Sequence, residues 1–169
     1  SISECSFSNI GAVTAGPIGG DYDYQYGWTK TVPSYAFSRM TNLKKLTVGG
    51  GVRTLNSNAC YYDTGLQEVV LEDSVEDIED SAFRHTINLR SIKLGSKVEY
   101  IGNYAFYEAS KLNNVVIPDT TTTIGASAFQ NCSELSDISF GTGLKQIGNY
   151  AFYDDGNLNN IEIPEGTTT

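Results

Sequence analysis

The sequence predicts an α/β-type repeat solenoid, with a parallel sheet on one face and short helical turns and loops on the other. Three observations predict it. Ala is followed by Phe at 36–37, 82–83, 105–106, 128–129 and 151–152, and by Cys at 59–60, with successive Ala positions 23 residues apart and no insertion. Seven residues after each Ala stands a Leu: Leu43, Leu66, Leu89, Leu112, Leu135 and Leu158. Three and five residues further on come the apolar pairs Leu46/Val48, Val69/Leu71, Ile92/Leu94, Val115/Ile117, Ile138/Phe140 and Ile161/Ile163.

A fixed period of this length carrying L-x-x-L-x-L marks a leucine-rich-repeat solenoid. One coil is too small to bury a core, but stacked coils place each apolar column on itself, so the core runs along the axis. The alternating pair suits a short strand with one face inward. A further apolar column, nineteen residues after Ala, holds Leu55, Ile78, Ile101, Ile124 and Ile147. Gly102, Gly125 and Gly148 follow it, where a tight turn is expected. Asp80, Asn103 and Asn149, two before Ala, are expected to cap a short helical turn carrying the Ala-Phe pair. Each buried Leu, Ile or Phe contributes roughly 1.5–3 kcal/mol, so six coils supply an ample core.

In chain order, residues 1–31 do not fit the repeat and are expected to form an N-terminal cap. Within them Tyr22, Tyr24, Tyr26 and Trp28 alternate with Asp23, Gln25 and Gly27, a strand pattern with an aromatic face. That strand either covers the open end of the first coil or offers an aromatic platform to a sugar or protein. The solenoid of about six coils spans 32–169, with Val32 and Pro33 in the Ile and Gly columns. The Ala36 coil is basic (Arg39, Lys44, Lys45, Arg53) and the Ala59 coil acidic (Glu68, Glu72, Asp73, Glu76, Asp77, Glu79, Asp80). Register sets Lys45 beside Glu68 and Arg53 beside Glu76, as exposed pairs worth about 0–1 kcal/mol each. Tyr104, Tyr107, Tyr150 and Tyr153 recur on alternate coils, either covering the turn or forming an exposed aromatic patch. The chain ends at Thr169 inside a coil, so the solenoid reads as C-terminally truncated, continued by further coils or covered by a partner.

The bulk numbers narrow the function classes. The 20 acidic residues outnumber 11 basic ones, for a net charge of -9. That disfavours nucleic acid and anionic membrane as partners, since both call for clustered Lys and Arg. No apolar run approaches the roughly 20 residues that span a bilayer, so no membrane insertion is expected of this chain. It starts at Ser1 rather than Met, which reads as a processed or trimmed form and says little about secretion. Cys60 fills the Phe column and Cys132 stands three coils away, on the order of 14 Å by strand spacing. A disulfide between them is excluded, because it needs Cα atoms within about 7 Å. No metal-ligand set and no phosphate-binding loop occurs. Two carboxylates at Asp21 and Asp23 fall short of a calcium site. His85 has Ser81 one turn before it but no third residue to orient it, so an exposed structural His is the better reading. No cofactor and no catalysis are expected.

The repeat resembles the BspA-like leucine-rich repeats, whose coil has the form L-x-x-I-x-I-P-x-x-(V/L)-x-x-I-G-x-x-A-F-x-x-C. Leu112, Val115, Ile117, Pro118, Ile124, Gly125, Ala128, Phe129 and Cys132 carry it, and the resemblance covers about 35–166. Thr121 and Thr167 depart from it in the (V/L) column, and Cys60 in the Phe column. The resemblance implies a secreted or surface-displayed protein, in a family with adhesins for host matrix or plasma proteins. The expected function is a non-catalytic extracellular binding module of a bacterial adhesin or recognition protein. The alternatives are a spacer holding another domain off the cell, or a carbohydrate-binding surface protein.

Solenoids usually bind through the strand-lined face. The outward positions there are Lys45, Thr47, Glu68, Val70, Glu72, Ser91, Lys93, Asn114, Val116, Asp137, Ser139, Asn160 and Glu162. The set is lightly charged and has none of the Trp, Tyr or Arg that dominate tight interfaces, so weak contacts multiplied along an array are expected.

Overall fold

The computed structural model describes residues 4–7, 31–159 and 161–168. The predicted strand Tyr22–Trp28 and the binding-face residue Asn160 lie outside them.

Among the described residues the chain runs through β1 (Glu4–Phe7), β2 (Thr31–Val32), β3 (Lys45–Val48), β4 (Thr54–Leu55), β5 (Glu68–Leu71) and β6 (Asp77–Ile78). It continues through β7 (Ser91–Lys93), β8 (Tyr100–Ile101), β9 (Asn114–Ile117), β10 (Thr123–Ile124), β11 (Asp137–Phe140) and β12 (Gln146–Ile147). The odd-numbered strands form one parallel sheet in the order β1-β3-β5-β7-β9-β11, and the even-numbered ones a second in the order β2 to β12. Partners stand one coil apart, as in Leu46↔Val69 and Val48↔Leu71. The second sheet was not expected: its two-residue strands are too short to show an alternation. Val32 pairs with Leu55, as its place in the Ile column requires. β1 pairs with β3, Glu4 opposite Lys45, and so adds a strand at the sheet's edge from a segment with no repeat signature.

The core follows the predicted columns. Leu43, Leu66, Leu89, Leu112 and Leu135 are buried, as are Leu55, Ile78, Ile101 and Ile124. Phe83, Phe106, Phe129 and Phe152 lie in one file, ring centroids 5.2, 5.1 and 5.4 Å apart and planes within 11° of parallel. The buried Cys60 substitutes for a ring in the coil before Phe83. Thr121 keeps its buried place in an apolar column because its hydroxyl donates to the Val98 carbonyl one coil back, at 2.7 Å. Thr167 does the same to Leu144 at 3.0 Å.

The expected helical turns are absent: no helix occurs among the described residues. The reason lies in where the amides point. Within each Ala-Phe segment alternate N–H groups bond across coils, as Asn58, Cys60 and Tyr62 donate to the carbonyls of Asp80, Ala82 and Arg84. The amides between them close four-residue turns, Ala59 to Asn56 and Tyr61 to Asn58. A helix would need all of them for its own i→i−4 ladder. The residues one before and three after each Ala have positive φ, from Tyr35 and Arg39 to Tyr150 and Asp154. This left-handed conformation costs roughly 1–2 kcal/mol per non-glycine residue and recurs too often for a helix to form.

Two related expectations change with it. Asp80 and Asn103 cap the next coil, not a helix. Asp80 accepts from the Asn103 amide at 2.7 Å, and Asn103 from the Ala126 amide at 2.8 Å. The glycines after the Ile column serve close approach rather than an unusual φ. A Cβ on Gly102, Gly125 or Gly148 would stand 2.6, 2.5 or 2.4 Å from a backbone nitrogen of the preceding coil.

Candidate interaction surfaces

The first sheet sets the predicted face. Its strands alternate inward apolar and outward polar residues, so the outward side chains line up in two rows. One row runs Lys45, Glu68, Ser91, Asn114 and Asp137 in paired register; beside it Thr47, Val70 and Lys93 pair in one run, and Val116 with Ser139 in a second. Lys45, Thr47, Glu68 and Val70 are half-buried, whereas Ser91, Lys93, Asn114, Val116, Asp137, Ser139, Glu72 and Glu162 are exposed. Val116 is the most open apolar residue on this face, at 63% exposure. The predicted pairs form: Lys45 to Glu68 at 2.8 Å and Arg53 to Glu76 at 3.5 Å.

At the edge of the face lies an open hollow of about 440 Å³ lined by Gly50, Gly51, Val70, Glu72, Asp73 and Lys93 among others. Its shape depends on the Gly49–Gly51 run. A Cβ on Gly49 would stand 1.7 Å from Glu72 Oε2, so only glycine lets that carboxylate fold in, where the Gly50 amide donates to it at 3.4 Å. Asp73 accepts from the Ser96 amide at 2.8 Å, and this bond, with the Ser96 hydroxyl, holds its carboxyl below the usual range. The hollow is therefore anionic with one cation, Lys93, on its wall.

The turn side carries the aromatics. Tyr104 and Tyr107 meet edge-on at 5.7 Å, and Tyr150 and Tyr153 at 5.8 Å. Arg84 places its guanidinium 5.5 Å from the Tyr104 ring centre and 4.9 Å from that of Tyr107. His85 stacks on Tyr62 at 3.9 Å and pairs through Nδ1 with Glu108. It is half-buried and partnered, not the exposed residue expected, and Ser81 is not what it meets. The spacing of Glu108, one coil on, was the available signal.

Two buried acids were missed. Asp63 and Asp155 occupy the column of Met40, Thr86, Ala109 and Cys132, and both are buried. Neither oxygen of Asp63 meets a well-placed partner. Burial pushes its carboxyl up to about 7, against the opposing pull of the Gly65 amide and Lys44. Asp155 is raised to about 7, chiefly by burial, although one oxygen accepts from the Cys132 amide at 2.7 Å. Burial also raises the Cys132 thiol, which leaves it an inert donor to the Phe106 carbonyl. On the acidic coil, burial and the neighbouring Asp77 and Asp80 raise Glu79. Among the described residues no group of three or more His, Cys, Asp or Glu is placed to hold a metal ion. No described helix is long and apolar enough to cross a membrane.

The chain is similar to several solved proteins. It is 26% identical to a leucine-rich repeat protein of T. pallidum, with a TM-score of 0.74 over 79% of this chain and 63% of that one. To a leucine-rich repeat protein of Eubacterium ventriosum it is 31% identical, with a TM-score of 0.76 over 82% of this chain and 37% of that one. A leucine rich cell surface protein of Faecalibacterium prausnitzii shares the fold at 18% identity, with a TM-score of 0.61 over 83% of this chain and 44% of that one. The chain thus spans less than two thirds of each of these relatives. No curated protein is similar enough to match it. The model of the BspA type leucine-rich repeat region matches residues 27–59 and 53–169 in six copies, and the chain belongs to that family.

Proposed function

We propose that the chain is a non-catalytic protein-binding module of a bacterial cell-surface adhesin or recognition protein, contacting host or neighbouring-cell proteins through the outward face of the first sheet. In this reading residues 1–31 are the cap and 32–169 the binding solenoid. The observation that carries it is the array of outward side chains from Lys45 to Ser139, with Val116 open in its fourth coil and the hollow at Lys93 beside it. Mixed polar rows around an exposed apolar residue favour modest, repeated contacts. The extracellular location rests on the family and on the surface protein of Faecalibacterium prausnitzii that shares the fold.

The test is surface plasmon resonance of the immobilised chain against a panel of matrix and plasma glycoproteins. Saturable binding to at least one is expected, weakened about tenfold by Val116→Glu combined with Lys93→Glu. Binding to none, or binding indifferent to those substitutions, overturns the reading and favours a spacer.

A further inference from the structure

The segment from Ile101 to Glu108 and that from Ile147 to Asp154 are near copies, IGNYAFYE and IGNYAFYD, two coils apart. Their tyrosine pairs have the same edge-on geometry, with centroids 5.7 and 5.8 Å apart. What precedes them differs. The coil before the first copy supplies Arg84, whose guanidinium lies over both rings, and His85, which pairs with Glu108. The coil before the second copy places Gln130 and Asn131 at the same two positions. Neither carries a cation. Among the described residues, no guanidinium lies over Tyr150 or Tyr153 and no base pairs with Asp154.

We propose that the Tyr150–Tyr153–Asp154 cluster is a docking site for an arginine of a basic segment in a partner protein. The first copy is the template: it shows a guanidinium seated against this tyrosine pair, with a second basic group on the adjoining carboxylate. A guanidinium is drawn to ring faces and to a carboxylate at once, and a net charge of -9 favours a basic partner in approach. This site lies on the turn side, away from the sheet face. It shares with the proposed function only the premise that the partner is a protein, and substitutions here leave the sheet face untouched.

The experiment titrates the 169-residue chain with the peptide acetyl-Gly-Arg-Gly-Arg-Gly-amide, followed by NMR of the tyrosine ring protons. The control peptide has citrulline for both arginines. We expect one site, with shifts centred on Tyr150 and Tyr153, and binding about tenfold weaker for the citrulline peptide. Tyr150→Ala with Tyr153→Ala should abolish it, and Asp154→Asn should weaken it. Gln130→Arg with Asn131→His fills the site from within and should weaken the peptide about tenfold while keeping every ring. Arg84→Gln with His85→Asn empties the first copy and should raise the stoichiometry to two. Equal binding of the citrulline peptide, unchanged binding to the Gln130→Arg/Asn131→His variant, or no shift at the two rings overturns the proposal. So does maltotriose shifting these rings where the peptide does not.

Discussion

Asp63 shows how one residue sets a property of the whole chain. A carboxyl raised to about 7 inside the fold, against 3.8 outside it, stays protonated over a range where the unfolded chain has released its proton. The stabilising effect of that neutral form is complete below pH 3.8 and is lost as pH rises towards and through about 7; Asp155 acts in the same direction. These two groups therefore make the solenoid less stable at pH 8 than at pH 5, measurable as urea midpoints across that range. Asp63→Ala, the residue that Ala109 shows to fit this column, should raise stability at pH 8 by on the order of 1–3 kcal/mol and by less at pH 5. A midpoint that rises from pH 5 to pH 8 in the parent chain would contradict this account. The ion pairs Lys45–Glu68 and Arg53–Glu76 were legible from register, since both partners sit at one repeat position. The burial of Asp63 was not, because its column is Cys in the family's pattern and varied here.

At the scale of the coil, the Asx and Gly columns bind each turn to the next. Gly125→Ala puts a methyl 2.5 Å from the Asn103 nitrogen, and backbone cannot yield as a flexible side-chain end does. The expected loss is about 1–3 kcal/mol, read as a drop in thermal midpoint. Asn103→Ala leaves the Ala126 amide without its 2.8 Å acceptor and should cost about 1–3 kcal/mol. Asn103→Asp keeps that acceptor but sets a carboxylate where the Asn103 Nδ2 donates to Asp80 at 3.2 Å, so it should recover little of the loss. A thermal midpoint of Asn103→Ala equal to that of the parent chain would show that the contact between coils is unimportant. The Ala-Phe turn was read as helical because an Asx two residues before an Ala-Phe pair is also how a helix begins. The distinguishing fact, that alternate amides bond 22 residues ahead, is a tertiary one.

Over the whole molecule the interactions are between neighbours, so stability is distributed along the axis and the ends are weakest. Ile161 and Ile163 continue the buried columns but are 39% and 49% exposed, and the described residues there include no strand. Amide exchange should accordingly be slowest in β7 and β9 and fastest after Leu158. Protection as high at Ile163 as at Val115 would refute this. Phe106→Ala removes the middle of the ring file and should cost about 3–5 kcal/mol, more than Phe152→Ala at its half-buried end.

By itself the sequence determined the period, the apolar columns, the strand register and the ion pairs that follow from it, because stacking copies of one unit forces like residues onto like. Only the tertiary structure decided the direction of the amides between coils, the second sheet and the strand at Glu4–Phe7. It alone showed that the Arg84 guanidinium lies over the Tyr104–Tyr107 pair. Those features depend on which groups of separate coils meet, and a single coil carries no record of its neighbour's geometry.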